Sequence, residues 1–179
     1  MTVDEKFNSV SSESSDMIGH MATIKRYSSE CKSAVEFGVY DCTSTWALMA
    51  GHPEKLTSYD VARRPEVDEV EQVSPGSGTV FKFVLANTVE VEIEETDLLF
   101  IDSDHHYAHL KRELELHAGK VRKYILLHDT EIFAHMDQDY KGVGLWPAIE
   151  EFLAAHPEWR IKEKFTHCHG LTVLERTHV

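Results

Sequence analysis

No apolar run in the 179 residues approaches the ~20 that span a bilayer, and the polar amino terminus lacks the apolar core of a signal peptide. A soluble, intracellular protein is expected. Cysteine is scarce: Cys31, Cys42 and Cys168 are odd in number and none forms a Cys-x-x-Cys pair, which leaves no disulfide framework and no thiolate zinc site. A reducing cytoplasm is the expected compartment. Positive charge is also short, 18 Lys and Arg against 31 Asp and Glu, and the net charge of −13 would repel a nucleic-acid backbone or an anionic membrane. Small molecules and metal cations remain as partners. There is no internal repeat, and the length suits one domain with a sizeable core.

What is present centres on Thr96 to Tyr107, Thr-Asp-Leu-Leu-Phe-Ile-Asp-Ser-Asp-His-His-Tyr. Leu98 to Ile101 is an unbroken apolar run, as in a strand buried on both faces, and it ends in carboxylates and imidazoles. In an open parallel sheet, the carboxyl ends of the strands form the rim where ligands bind. An acidic turn with Asp104 as cap of the next helix is the simpler alternative. It does not account for Asp102, for His105, or for a second such strand end at His128-Asp129-Thr130.

The remaining pattern alternates strands and helices. Met1 to Ser15, rich in Ser, Asp and Glu, reads as a mobile arm. Residues 16–179 read as one domain. Met17, Met21, Ile24 and Tyr27 recur at helical spacing, with Ser15 or Asp16 as cap. Strands are expected at Ser33–Phe37, Leu56–Tyr59, Thr79–Leu85, Leu98–Ile101 and Tyr124–Leu127. Helices are expected after Thr45, over Glu66–Gln72, from Tyr107 to about Ala118, and around Pro147. Glu131 to Gly144 reads as a long loop beside the rim and a candidate lid. Trp159–Phe165 and Leu171–Glu175 are joined too briefly to be anything but an antiparallel pair.

The first strand runs into Gly38, and Asp60 follows roughly 20 positions later at the end of the second, where a ribose diol is held in nucleotide-binding α/β folds. The run Glu36-Phe-Gly-Val-Tyr-Asp-Cys-Thr-Ser-Thr45, with Asp60, Phe100-Ile-Asp102, His105, Tyr107 and Leu127-His-Asp-Thr130, resembles the class I S-adenosylmethionine-dependent methyltransferases. It is most similar to small members associated with sugar and secondary-metabolite pathways. The resemblance covers residues from about 16 to Arg176. It implies a Rossmann-like α/β sheet of seven mostly parallel strands, the last antiparallel, with helices on both faces. It also implies O-methylation of a small hydroxylated, sugar-like acceptor.

The resemblance places cofactor contacts at Glu36, Gly38, Tyr40, Asp41, Ser44, Thr45, Asp60, Asn87 and Asp102. Gly38 would admit the amino-acid part of the cofactor, Glu36 would fix the turn and the ammonium, Asp60 would take the ribose hydroxyls, and Asn87 would face the adenine. Metal-dependent relatives hold magnesium with an Asp after the fourth strand and an acidic pair after the fifth, which corresponds to Asp102, His128 and Asp129 here. His128 in place of an acid leaves magnesium or a softer divalent cation open. Asp104 or His105 would be the general base, His105 preferred because an unperturbed imidazole titrates near neutrality.

Alternatives are retained. His105 and His128 also admit a plainer reading, as buried, hydrogen-bonded side chains. His105 and His109 have the spacing of a metal pair on one helix face. His117 reads as a core residue, and His167 and His169 as exposed turn residues. Relatives carry further glycines near Cys42 and Thr43, so a cofactor-binding regulatory protein without turnover is the runner-up. A nicotinamide-dependent oxidoreductase is disfavoured by the missing three-glycine fingerprint.

Overall fold

The computed structural model describes residues 1–12 and 16–177. Thirteen elements matter for the site: α1 (Val3–Val10), α2 (Ile18–Ser29), β1 (Ser33–Phe37), α3 (Thr43–Met49), β2 (Lys55–Asp60), α4 (Glu66–Val73), β3 (Val80–Leu85), β4 (Thr96–Ile101), α5 (Tyr107–His117), β5 (Val121–His128), α6 (Trp146–Ala155), β6 (Trp159–Phe165) and β7 (Leu171–Arg176). The seven strands form one sheet in the order β3-β2-β1-β4-β5-β7-β6. Neighbours from β3 to β5 are parallel, and β7 runs antiparallel to both β5 and β6. This is the sheet that the sequence resemblance implies.

β4 explains why the sheet needs cover on both faces. All six of its residues are buried. Leu98 and Phe100 join a core with Trp46 of α3, Met21 of α2 and Val67 of α4, while Leu99 and Ile101 join a second core with Leu114 of α5 and Ile149 of α6. Alternate side chains of a strand point to opposite faces, so an all-apolar run must sit between two helical layers. Burying one such Leu or Phe stabilises the fold by about 1.5–3 kcal/mol.

Residues 1–12 are not the free arm that their composition suggests. Thr2 and Glu5 form a reciprocal capping box at the start of α1, with Glu5 N donating to Thr2 Oγ1 at 3.2 Å and Thr2 N to Glu5 Oε2 at 2.7 Å. Val3 and Val10 are buried, and Phe7 packs against the same core. The three apolar residues recur at helical spacing, a stripe that the surrounding Ser, Asp and Glu hid. Residues 13–15 of the expected arm lie outside the described residues. The cap of α2 also differs: Met17 occupies that position without a side-chain cap, Asp16 does not cap, and Ser15 lies outside the described residues.

Glu131 to Gly144 is folded down rather than free. Leu145 N donates to Phe133 O at 2.8 Å, Met136 bridges Val143, and Asp137 Oδ1 accepts from Asp139 N and Lys141 N at 3.1 and 3.0 Å. None of it lines the main cleft; Gln138 instead reaches the acidic rim. Among the described residues, no helix is long and apolar enough to cross a membrane.

Candidate active site at the carboxyl edge of the sheet

The chain proceeds outward from β1 through β2 to β3, then returns to the other side of β1 with β4. That reversal opens a crevice at the strand carboxyl ends, where ligands bind in such sheets. A cleft of about 640 Å³ lies there, within the usual range for a small-molecule site. Phe37 pairs with Ile101, so Gly38 falls beside Asp102, and Asp102 N donates to Phe37 O at 2.8 Å. Gly38 has φ +84°, and a Cβ built on it would overlap the Asp102 carbonyl oxygen. The glycine is therefore required first by the meeting of two strand ends, and only through that by any ligand.

The β1 side of the cleft is internally satisfied. Asp60 Oδ2 accepts from Val39 N and Tyr40 N at 2.8 and 3.1 Å, and Oδ1 accepts from Ala62 N at 2.8 Å. A carboxylate has about four acceptor sites, so one remains for a ribose hydroxyl. Asn87 Oδ1 accepts from Val89 N at 3.2 Å, which leaves its amide group facing the cleft with only a 3.4 Å contact to Glu90. Tyr40 (φ 44°) and Cys42 (φ 65°) hold left-handed conformations without being glycine. The turn thus keeps a glycine-like backbone at Cys42, where further glycines were expected.

Glu36 and Thr45 do not line the cleft. Glu36 is wholly buried and accepts hydrogen bonds from Ser44, Thr45 and Ser58 hydroxyls at 2.7, 2.8 and 2.5 Å. Burial pushes its carboxyl up to about 7 despite those three donors. It braces the turn from beneath, and the expected contact with a ligand ammonium is not open to it. Gly38, Tyr40, Asp41, Ser44, Asp60, Asn87 and Asp102 all line the cleft.

The other half of the rim is built from β4, β5 and the turn between β6 and β7. Ile101 pairs with Leu127, and His128 pairs with Leu171, so Asp102, His128 and the turn before β7 come level. Asp129 adopts φ 59°, a left-handed conformation that Asp tolerates better than most residues. Its Oδ2 lies 2.9 Å from His105 Nε2, which is also 3.2 Å from Asp102 Oδ1. His128 Nδ1 lies 3.3 Å from Asp102 Oδ1 and 3.2 Å from Asp129 Oδ1. Among the described residues, His128 Nε2 and Asp129 Oδ1 are buried without a hydrogen-bond partner.

Charge in this cluster follows from pairing in a poorly solvated place. Burial opposes the ionised form of Asp102, yet His105 and His128 outweigh it and hold the carboxyl well below the usual range. Burial likewise opposes the imidazolium of His105, but Asp102 and Asp129 push it up to about 10. While so paired, His105 keeps its proton at neutral pH. That removes the reason for preferring it as base in this arrangement. Asp104 is committed to His106, accepting from its backbone N at 3.1 Å and lying 2.6 Å from its Nδ1. It is not the helix cap, a position held by His106.

Several expectations about histidine change. His105 lies in the turn before α5 rather than on it, so it shares no helix face with His109. His109 lines the cleft and lies 3.1 Å from Thr88 Oγ1. His117 is a core residue, wholly buried with Nε2 2.8 Å from Thr88 O. His169 is not a simple surface residue, since its Nδ1 lies 3.1 Å from Asp16 Oδ2 and 3.3 Å from Asp129 Oδ1. Asp16, His20, Gln138 and His169 were missed as site residues. Gln138 accepts from His105 N at 3.2 Å, and His20 Nε2 lies 3.0 Å from both His167 O and Cys168 O.

Comparison with known families matches residues 56–179 to the model described as Rhamnosyl O-methyltransferase/CmcI. The chain belongs to the Rhamnosyl O-methyltransferase/CmcI family. It is an S-adenosylmethionine-dependent methyltransferase, in accord with the cleft at the sheet's switch point. The matched stretch begins in β2 and holds every residue of the rim from Asp60 to His169; the Gly38 turn precedes it. Solved structures agree on the fold. A protein of Corynebacterium glutamicum superposes with a TM-score of 0.69 at 14% identity, over 99% of this chain and 88% of that one. An O-methyltransferase of Bacillus cereus in complex with S-adenosylhomocysteine gives 0.67 at 13%, over 98% and 90%. The O-methyltransferase TomG of Streptomyces achromogenes, involved in tomaymycin synthesis and bound to S-adenosylmethionine, gives 0.65 at 12%, over 90% and 81%. A comparison with curated protein sequences finds no match.

Proposed function

We propose that this member of the Rhamnosyl O-methyltransferase/CmcI family methylates a hydroxyl of a small, sugar-like acceptor, assisted by a divalent cation on the β4–β5 rim. The observation that carries this reading is the junction of two halves: a satisfied cofactor cradle opens directly onto a cluster of carboxylates and imidazoles in which Asp129 Oδ1 accepts no hydrogen bond from the described residues. Asp102 lines the cleft and belongs to the cluster. A methyl donor bound by the first half would meet a hydroxyl held by the second.

S-adenosylmethionine, when bound, supplies an electrophilic methyl group on a sulfonium. The cleft suits it, with Asp60 able to receive ribose hydroxyls and Asn87 presenting its amide group. Tyr40, Asp41 and Ser44 border the space beside Gly38 where the amino-acid part would lie. Glu36 and Thr45 keep that turn in shape from below.

Asp102, His128 and Asp129 offer ligand atoms within 4.8 Å of one another. Two carboxylates with an imidazole fit a divalent ion, magnesium or a softer one such as manganese or zinc. Such an ion lowers the pKa of a hydroxyl bound to it. His105 stands between the same two carboxylates, as a positive group is expected to do when like charges converge. Freed from them and neutral, His105 would take the hydroxyl proton; the carboxylate of Asp104 would do so on leaving His106. A net charge of −13 favours small acceptors over nucleic acid or anionic membrane, and three unpaired cysteines suit a reducing cytoplasm.

Incubation with methyl-labelled S-adenosylmethionine, a panel of glycosides and catechols, and magnesium or manganese tests the reading. An O-methyl ether formed in a chelator-sensitive way supports it. Chelator-insensitive transfer would remove the metal from it, and transfer to nitrogen or carbon alone would remove the hydroxyl acceptor. The regulatory alternative predicts S-adenosylhomocysteine binding without transfer to any acceptor.

A further inference from the structure

We propose that Asp16, Asp129 and His169 form a second divalent-cation site, which shares Asp129 with the Asp102–His128–Asp129 group and does not depend on the methyl-transfer reading. The three residues come from the residue pair before α2, the end of β5 and the turn before β7, yet their ligand atoms lie within 4.8 Å of one another. His169 Nδ1 is 3.1 Å from Asp16 Oδ2 and 3.3 Å from Asp129 Oδ1. Donors held about 2.0–2.1 Å from a tetrahedral zinc stand about 3.3 Å from each other, so the two His169 spacings suit a ligand set as well as an ion pair.

The second observation is Asp129 itself. It is 6% exposed, and its Oδ1 accepts no hydrogen bond from the described residues although His128 Nδ1 and His169 Nδ1 approach to 3.2 and 3.3 Å. A buried carboxylate oxygen without a donor carries an uncompensated desolvation cost, which a cation would offset. Asp16 and His169 are half exposed, so water can complete the coordination. The local fold fixes the set without any ion. His169 O accepts from Glu131 N and Ile132 N at 2.9 and 3.1 Å, which holds the turn before β7 against the segment that follows Asp129. His20 joins α2 to the same turn through its contacts with His167 O and Cys168 O.

Two carboxylates and one imidazole favour zinc or manganese over magnesium. Asp16 and Met17 line the cofactor cleft, so an ion here would tie the mouth of the cleft to the rim. The test is calorimetric titration of zinc into chelator-treated full-length protein, with melting curves to verify folding. Wild type should bind an equivalent that His169→Ala and Asp16→Asn each weaken by more than the ~10–100-fold cost of losing an outer-shell partner. Asp102→Asn should keep that equivalent. If wild type binds no zinc, or if His169→Ala and Asp16→Asn bind it with wild-type stoichiometry and affinity, the site does not exist. An equivalent lost only in Asp102→Asn would likewise overturn it while leaving the inner cluster standing.

Discussion

The two halves of the cleft treat their polar groups in opposite ways. On the β1–β3 side, Asp60 receives three backbone N–H groups and Glu36 receives three hydroxyls. On the β4–β5–β7 side, Asp102 and Asp129 converge on His105, and His128 Nε2 and Asp129 Oδ1 have no hydrogen-bond partner among the described residues. The first half is complete in itself and shapes a cavity. The second is under-satisfied among the described residues, the pattern that the proposed function expects of groups that serve chemistry rather than stability.

The comparison makes stability depend on the cradle and function on the rim. The largest effect should come from Gly38→Ala, which combines φ +84° with overlap on the Asp102 carbonyl. A loss of about 3–5 kcal/mol in denaturant unfolding is expected, the upper range for point substitutions. A melt close to wild type would mean that the β1–β4 junction is plastic.

Next is the pH dependence carried by Glu36, whose folded-state carboxyl is raised from 4.5 to about 7. A raised acid binds protons more tightly when folded, so its contribution is fully present below about pH 4.5 and is lost as pH rises through about 7. About 3 kcal/mol is at stake, at 1.36 kcal/mol per unit. Glu36→Gln should flatten that segment of the stability-versus-pH curve. An unchanged curve would assign the dependence to another group.

Asp60→Ala should cost less, about 1–3 kcal/mol, because three backbone donors lose their acceptor, and it should weaken S-adenosylhomocysteine binding at the same time. Calorimetry beside thermal melting separates the two effects. A lower melting point with unchanged affinity would make Asp60 purely a brace. The smallest effect belongs to the rim: without metal, His169→Ala should stay within about 0.5 kcal/mol of wild type. A larger loss would give the rim a structural role that the comparison denies it.

The sheet was legible because buried strands announce themselves: Leu98–Ile101 and Tyr124–Leu127 are apolar runs that stop at charged groups, and Gly38 and Asp60 punctuate the first turn as the fold requires. Asp102, His128 and Asp129 were found by the same logic and do converge. Other features were set by contacts between distant segments. Asp16 and His169 meet only because β7 lies beside β5 and α2 packs over that edge, which no local pattern encodes. His105 looked like a base when judged by its unperturbed pKa, but two carboxylates brought by separate strands reverse that judgement. The stripe Val3, Phe7, Val10 was outweighed by polar composition around it.

Under the proposed function, methyl transfer takes place where the cradle meets the rim, at Asp102. The most direct measurement is single-turnover transfer of labelled methyl to an accepted hydroxyl compound by wild type and Asp102→Asn, with S-adenosylhomocysteine affinity determined for both. A rate lower by ~100-fold or more is expected in the variant, with affinity changed far less. A wild-type rate in Asp102→Asn, or no transfer by the wild-type protein despite tight S-adenosylhomocysteine binding, would contradict it.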